Sequence, residues 1–201
     1  MGRIEAAPRA AAPTRFDQLR DDALEWADGR MWIPRALLLL YLVYAEIRFL
    51  RDPMSSTIFS GITLGVHELG HVIFNFMGHF IGSLMGSGTQ VLVPIVVMVI
   101  FARQPDYFGV SVGGFWLSFS LFELANYVGD ARAMDLPLVG LSDDPEHDWH
   151  YLLSTTHLLP LDTTFAFLLR LTATLIGAVS LAFAIWLLVK MAGTKPRFRE
   201  G

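Results

Sequence analysis

Long apolar stretches separated by short polar segments make up most of this 201-residue chain. Five of these stretches approach or exceed the roughly 20 mostly apolar residues that an α-helix needs to cross a bilayer. The pattern predicts an all-α, polytopic membrane protein with about five transmembrane helices, and an odd number of passes places the two ends of the chain on opposite sides. The predicted spans are residues 33–50, 57–77, 81–102, 107–128 and 163–191.

An amphipathic helix is predicted ahead of the first span. Residues 15–28 carry apolar side chains at helical spacing. Thr14, followed three residues later by Asp17, forms a capping-box pattern at the start of this segment. The helix either packs on the membrane domain or lies in the headgroup layer.

A polar stretch, residues 131–161, separates the last two spans. It predicts a short helix that is capped by Asp143 or Asp144, with Pro145 near its first turn. The chain thus divides into residues 1–30 (a tail and the amphipathic helix), 31–192 (a single transmembrane domain) and 193–201 (a basic tail).

Composition narrows the class of protein. Charged residues make up only 17% of the chain, whereas a soluble domain carries about 25%. The net charge is −4 and there is no basic block, which argues against nucleic acid and leaves the lipid bilayer as the surrounding partner. No cysteine is present, so a thiolate cannot act as nucleophile or metal ligand. We expect a multi-pass protein of a bacterial-type inner membrane, whose orientation the scattered Arg and Lys residues leave unresolved.

A metal-binding pattern, His67-Glu68-Leu69-Gly70-His71, lies inside the second apolar stretch. Residues four apart on a helix project from one face, one turn apart, so both imidazoles can bind the same Zn²⁺ ion. Glu68 follows the first ligand and is placed to act as general base on a water at the metal. A charged side chain within a span costs about 2.5–3.5 kcal/mol on insertion scales, so its presence there indicates function.

Catalytic zinc usually takes three protein ligands and a water, so a third ligand is required. The fourth span runs parallel to the second and ends on the same side of the membrane. Asp130, at the end of the fourth span, is therefore on the correct side to bind the metal. It belongs to a polar stripe whose members are Glu123, Asn126, Tyr127 and Asp130.

The polar stretch supplies alternatives for the third ligand. His150 or His147 can bind the metal, or can contact the substrate or a ligating carboxylate instead. Arg170, in the fifth span near the same side, either reaches the interface or pairs with Glu123 or Asp130.

The chain resembles the site-2 protease family of intramembrane zinc metalloproteases. The resemblance rests on the H-E-x-x-H pattern within a span and on Asp130 two spans later, and it covers a three-helix core of about residues 57–131. In that family the H-E-x-x-H helix supplies two zinc ligands and the base, and an aspartate of the second helix after it supplies the third ligand. The resemblance implies zinc as cofactor, His67, His71 and Asp130 as ligands, Glu68 as base and Asn126 as a contact to the substrate.

Hydrolysis of a peptide bond in a membrane-embedded or membrane-proximal substrate is the expected function. One alternative is a non-catalytic, zinc-binding membrane scaffold or regulator that keeps the same residues. The other is an iron protein that uses histidine ligands, for which the chain offers His67, His71, His147 and His150.

Overall fold

The computed structural model describes residues 13–138 and 146–194. Within this part of the chain every regular element is a helix, and there is no strand. The all-α class is thereby confirmed. Two 3₁₀ turns, Asn75–Met77 and Leu159–Leu161, join longer helices. These are α1 (Arg15–Ala27), α2 (Ile33–Arg51), α3 (Ser60–Phe74), α4 (His79–Arg103), α5 (Tyr107–Gly129), α6 (Asp148–Thr155) and α7 (Asp162–Ala192).

The two short helices begin at side-chain caps. Thr14 accepts the N–H of Asp17, and the Asp17 carboxylate accepts the N–H of Thr14, which confirms the capping box of α1. The cap of α6 is His147, whose side chain accepts the N–H of His150. The predicted cap residues Asp143, Asp144 and Pro145 lie outside the described residues, as do the tail before Pro13 and the basic tail after Thr194.

Among the described residues, three helices are long and apolar enough to cross a membrane: His79–Arg103, Tyr107–Gly129 and Leu159–Ala192, which joins a 3₁₀ turn to α7. The structure does not show the five membrane-crossing helices that the sequence predicts among the described residues. Two of the predicted spans do not meet the requirement, and each has a physical reason. With 15 residues, α3 is about 22 Å long, short of the roughly 30 Å hydrocarbon core. α2 carries charged side chains along its length, which is unfavourable in an apolar span; they are Arg35, Glu46, Arg48 and Arg51.

α5 forms the centre of the bundle and is buried on most of its surface. Glycine and serine recur along it, which lets neighbouring helices approach closely. An added Cβ would lie 2.6 Å from Cγ of Met98 on α4 at Gly113, and 2.1 Å from Oγ of Ser180 on α7 at Gly114. α5 therefore packs tightly between α4 and α7, and this packing fixes the polar residues of its last turns.

α3 begins part-way along α5. Nε1 of Trp116, near the middle of α5, donates to Oγ1 of Thr63 in the first turn of α3 (2.9 Å). Pro53, which precedes α3 in the chain, instead accepts a hydrogen bond from Asn126 near the end of α5. The connection 52–59 therefore runs back into the bundle, and α2, α3 and α5 all finish at one end, here called the upper end.

The described ends of the chain meet at the opposite, lower end. The N–H of Gly29 donates to Oγ1 of Thr194 (3.0 Å), and Trp26 of α1 packs edge-on against Tyr107 at the start of α5. α1 is therefore packed on the helical bundle. The described ends therefore lie at one end of the bundle, contrary to the prediction of five passes, which counts α3 as a full pass although α3 returns to the end at which α2 finishes.

Single-cysteine labelling is expected to place both ends on the same side of the membrane. The chain contains no cysteine, so Thr14→Cys, Thr194→Cys and Phe76→Cys each introduce a unique thiol. In sealed vesicles a membrane-impermeant maleimide should label the first two from one side. It should label Phe76→Cys, exposed at the upper end, only from the other side. Labelling of Thr14→Cys and Thr194→Cys from opposite sides would contradict this arrangement.

Candidate metal centre

Close packing of α3 on α4 places the two histidines of the H-E-x-x-H pattern. Gly70 permits this approach, because a Cβ there would lie 2.2 Å from the carbonyl oxygen of Met85 and 2.2 Å from Oγ1 of Thr89. His67 and His71 then project toward α4 with their ring centroids 4.7 Å apart. The same-face arrangement that the spacing predicts is confirmed.

Each imidazole is anchored through its Nδ1 atom. Nδ1 of His67 lies 3.0 Å from Oε1 of Gln90, whose amide nitrogen donates to the carbonyl oxygen of Ser120. Nδ1 of His71 lies 2.9 Å from the carbonyl oxygen of Gly82. Both partners are acceptors, so each Nδ1 carries a hydrogen, and each Nε2 presents a lone pair when the ring is neutral. Metal-ligating histidines are held in this tautomer.

Asp148 of α6 completes a group of three side chains that could hold a metal ion. Its Oδ2 lies 3.3 Å from Nε2 of His67 and 3.2 Å from Nε2 of His71, and the two Nε2 atoms are 3.0 Å apart. When both rings are neutral, two lone pairs and a carboxylate oxygen converge, which is unfavourable unless a metal cation or a proton lies among them. Trp149 fixes α6 on α4 by donating from Nε1 to Oγ of Ser87 (3.0 Å).

The spacing of the three donor atoms suits a small divalent metal ion such as zinc. Ligand atoms that lie ~2.0–2.1 Å from a tetrahedral zinc are about 3.3 Å from one another. The separations between the three atoms here are 3.0, 3.2 and 3.3 Å. Two imidazoles and one carboxylate supply three ligands, which is the number of protein ligands that catalytic zinc sites use.

The structure does not bring Asp130, His147 or His150 to the two imidazoles. Asp130 accepts two backbone N–H groups of the turn after α5, and its Oδ2 lies 3.3 Å from Nε2 of His147. Nδ1 of His150 lies 2.8 Å from the carbonyl oxygen of Ala131. Asp148 takes the place expected for Asp130, because the chain turns away after α5 and returns across α4 as α6.

A cleft of about 820 Å³ opens beside the three side chains, and Glu68 lines it together with His67 and His71. Glu68 is partly exposed, so water in the cleft can reach its carboxylate. The position of Glu68 therefore suits a general base that must meet both a water and a substrate.

Glu123, Asn126 and Arg170 form contacts in and around the wall of this cleft. Oγ of Ser60 donates to Oε1 of Glu123, and Nη2 of Arg170 donates to Oδ1 of Asn126 (3.0 Å). Arg170 thus bonds to Asn126 and not to Glu123 or Asp130, whose pairing with Arg170 was one of the two alternatives. Of these residues, Glu123 and Asn126 line the cleft, where a bound segment can meet them.

Burial and neighbouring groups set the charges of two residues outside the membrane-crossing helices. Burial raises the pKa of Asp148, but His67 and His71 in their protonated form donate to it from Nε2, which outweighs burial and lowers the pKa to about 2. Asp148 is therefore ionised at neutral pH. For His147 burial is the largest effect, and it lowers the pKa despite the neighbouring Asp130, so the ring is neutral at pH 7.

Comparison with known proteins identifies no relative. No family model matches the chain, and no curated protein or solved structure is similar to it. The resemblance to the site-2 protease family thus rests on the residues that carry it, and function must be argued from the geometry of this chain.

Proposed function

We propose that this protein is a zinc-dependent intramembrane metalloprotease in which His67, His71 and Asp148 bind zinc and Glu68 is the general base. The observation that carries the proposal is the convergence of two imidazole Nε2 atoms and one Asp148 oxygen beside a cleft. The apolar helices around this centre suit a bilayer. The proposed substrate is a peptide segment that is embedded in the membrane or lies close to it.

Each residue of the centre has a defined part in peptide-bond hydrolysis. Zinc, when bound, polarises a carbonyl group and lowers the pKa of a water. Glu68 accepts a proton from the attacking water and delivers it to the amine of the departing peptide. Gln90 and the Gly82 carbonyl keep the Nε2 atoms of the histidines free to act as ligands.

The Glu68→Gln variant tests the proposal. It should retain zinc, because all three ligands remain, and should lose peptide cleavage by at least about 100-fold, because the proton acceptor is gone. Metal analysis of the purified protein and the rate of cleavage of a transmembrane peptide in liposomes give the two measurements. Glu25→Gln, an exposed glutamate of α1 at the lower end, is the matched control and should change neither.

The outcomes separate the protease from its alternatives. If Glu68→Gln cleaves as fast as wild type, Glu68 is not the base. A wild-type protein that holds zinc but cleaves no peptide is a scaffold or regulator. Iron in place of zinc would indicate the iron protein, although two of the four histidines expected to bind it, His147 and His150, lie outside the ligand group.

A further inference from the structure

We infer that Tyr127, His147 and Asp130 form a positioning chain that holds the ligating oxygen of Asp148 in place. None of the three belongs to the group that could hold the metal. They connect the last turn of α5 and the turn after it to the first residue of α6. The inference rests on the metal centre of the proposed function but does not depend on the hydrolytic reaction.

Tyr127 contacts Asp148 in two ways. Its hydroxyl accepts the backbone N–H of Asp148 (2.9 Å) and donates to Oδ2 (3.2 Å). This is the oxygen that lies nearest to Nε2 of His67 and His71. A carboxylate oxygen has more than one lone pair, so it can accept from Tyr127 and still bind a cation. Hydrogen bonds of this kind orient ligating carboxylates.

His147 packs against the aromatic ring of Tyr127. The rings of Tyr127 and His147 stack with their centroids 4.4 Å apart and 29° between their planes. Nδ1 of His147 accepts the N–H of His150, so the ring hydrogen lies on Nε2, which donates to Oδ2 of Asp130 (3.3 Å). The His147 side chain is only 2% exposed, so water does not compete for this contact.

Asp130 is the fixed end of the chain of contacts. Its Oδ1 accepts the N–H of Asp135 (3.0 Å) and its Oδ2 accepts the N–H of Leu136 (3.1 Å). These bonds hold the carboxylate within the turn after α5, where it fixes His147. Asp130 thus acts on the metal centre through His147 and Tyr127, and its place in the sequence, two helices after the H-E-x-x-H pattern, reflects this supporting role.

The zinc affinity of the purified full-length protein tests the positioning chain. Tyr127→Phe removes one hydroxyl and should raise the zinc Kd about 10- to 100-fold, the usual effect of losing a contact to a ligand. Tyr151→Phe, on α6 but stacked on His79, is the matched control and should bind zinc as wild type does. The visible spectrum of the Co²⁺-loaded protein should change in Tyr127→Phe and not in Tyr151→Phe. A general loss of stability would not produce that difference.

Two substitutions of His147 provide an independent test. His147→Asn keeps an acceptor for the N–H of His150 but is too short to reach Asp130, so it should weaken zinc binding as Tyr127→Phe does. His147→Gln places an amide near the original Nε2 position and should restore much of the affinity.

The outcomes distinguish this inference from the proposed function. Equal zinc Kd values and Co²⁺ spectra for Tyr127→Phe, His147→Asn and wild type would overturn the positioning chain, whether or not the protein cleaves a peptide. If the zinc Kd values follow the expected order but wild type cleaves no peptide, the positioning chain is supported and the protease proposal is overturned. If wild type binds neither zinc nor cobalt, both the metal centre and the positioning chain are overturned.

Discussion

Asp148→Ala is expected to raise the zinc Kd by more than about 100-fold, which exceeds the usual effect of losing an outer contact to a ligand. The substitution removes one of three ligating side chains and leaves His67 and His71 without the oxygen that lies 3.3 and 3.2 Å from their Nε2 atoms. Titration of zinc into the metal-free protein measures the Kd. Peptide cleavage should disappear with the metal.

Two other aspartates at the upper end serve as comparisons. Asp130→Ala breaks the contact with His147 and should weaken zinc binding less than Asp148→Ala does. Asp135→Ala removes an exposed carboxylate and should leave the zinc Kd unchanged. If Asp130→Ala abolished binding and Asp148→Ala retained it, Asp130 would be the third ligand, as the resemblance to the site-2 protease family implies.

A single methyl group at Gly86 of α4 is expected to produce the second large effect. A Cβ there would lie 2.4 Å from Nε2 of His71 and 2.8 Å from Nε2 of His67, closer than side-chain carbons approach other atoms. Both imidazoles must then leave the positions in which they meet Asp148. Overpacking of this kind costs about 1–3 kcal/mol, so Gly86→Ala should raise the zinc Kd about 10- to 100-fold.

Gly88→Ala is the matched control for this prediction. It adds the same methyl group to the same helix, but the new Cβ would meet Sδ of Met85 at 3.0 Å and its Cε at 3.3 Å, and this flexible side chain can yield. Both variants gain the same helix propensity. Zinc binding by Gly86→Ala that equals that of Gly88→Ala would show that the imidazoles are not confined by α4.

Apolar length predicted the positions of the helices better than their direction. α4, α5 and α7 begin and end within two residues of the predicted spans 81–102, 107–128 and 163–191. Residues 57–77 have the same apolar character, but only Ser60–Phe74 forms an α-helix, because the preceding connection runs back along α5. A segment that enters and leaves a bundle at the same end has apolar neighbours, and so does a helix that crosses the bundle completely. Hydropathy therefore does not distinguish a returning segment from a full crossing.

For the candidate site too, the sequence could predict some of the residues but not all of them. Helical spacing alone places His67 and His71 on one face, so the sequence could predict this pair. The third member of the group depends on the path of the chain after α5, which lies beyond the 57–131 core. Asp148 lies between the two histidines that the sequence offered as alternatives, and tertiary contacts of α6 turn it inward. Gln90 is 23 residues from His67, and no local pattern relates them.

Because the described ends of the chain lie together at the lower end, its basic residues divide unevenly between the two membrane faces. At the upper end are Arg48, Arg51, Arg132 and Arg170. At the lower end are Arg15, Arg20, Arg30, Arg35, Arg103 and Lys190. The positive-inside rule associates the more basic face with the cytoplasm. We therefore expect the cleft to open to the extracytoplasmic compartment, which would supply the zinc and receive the released peptide.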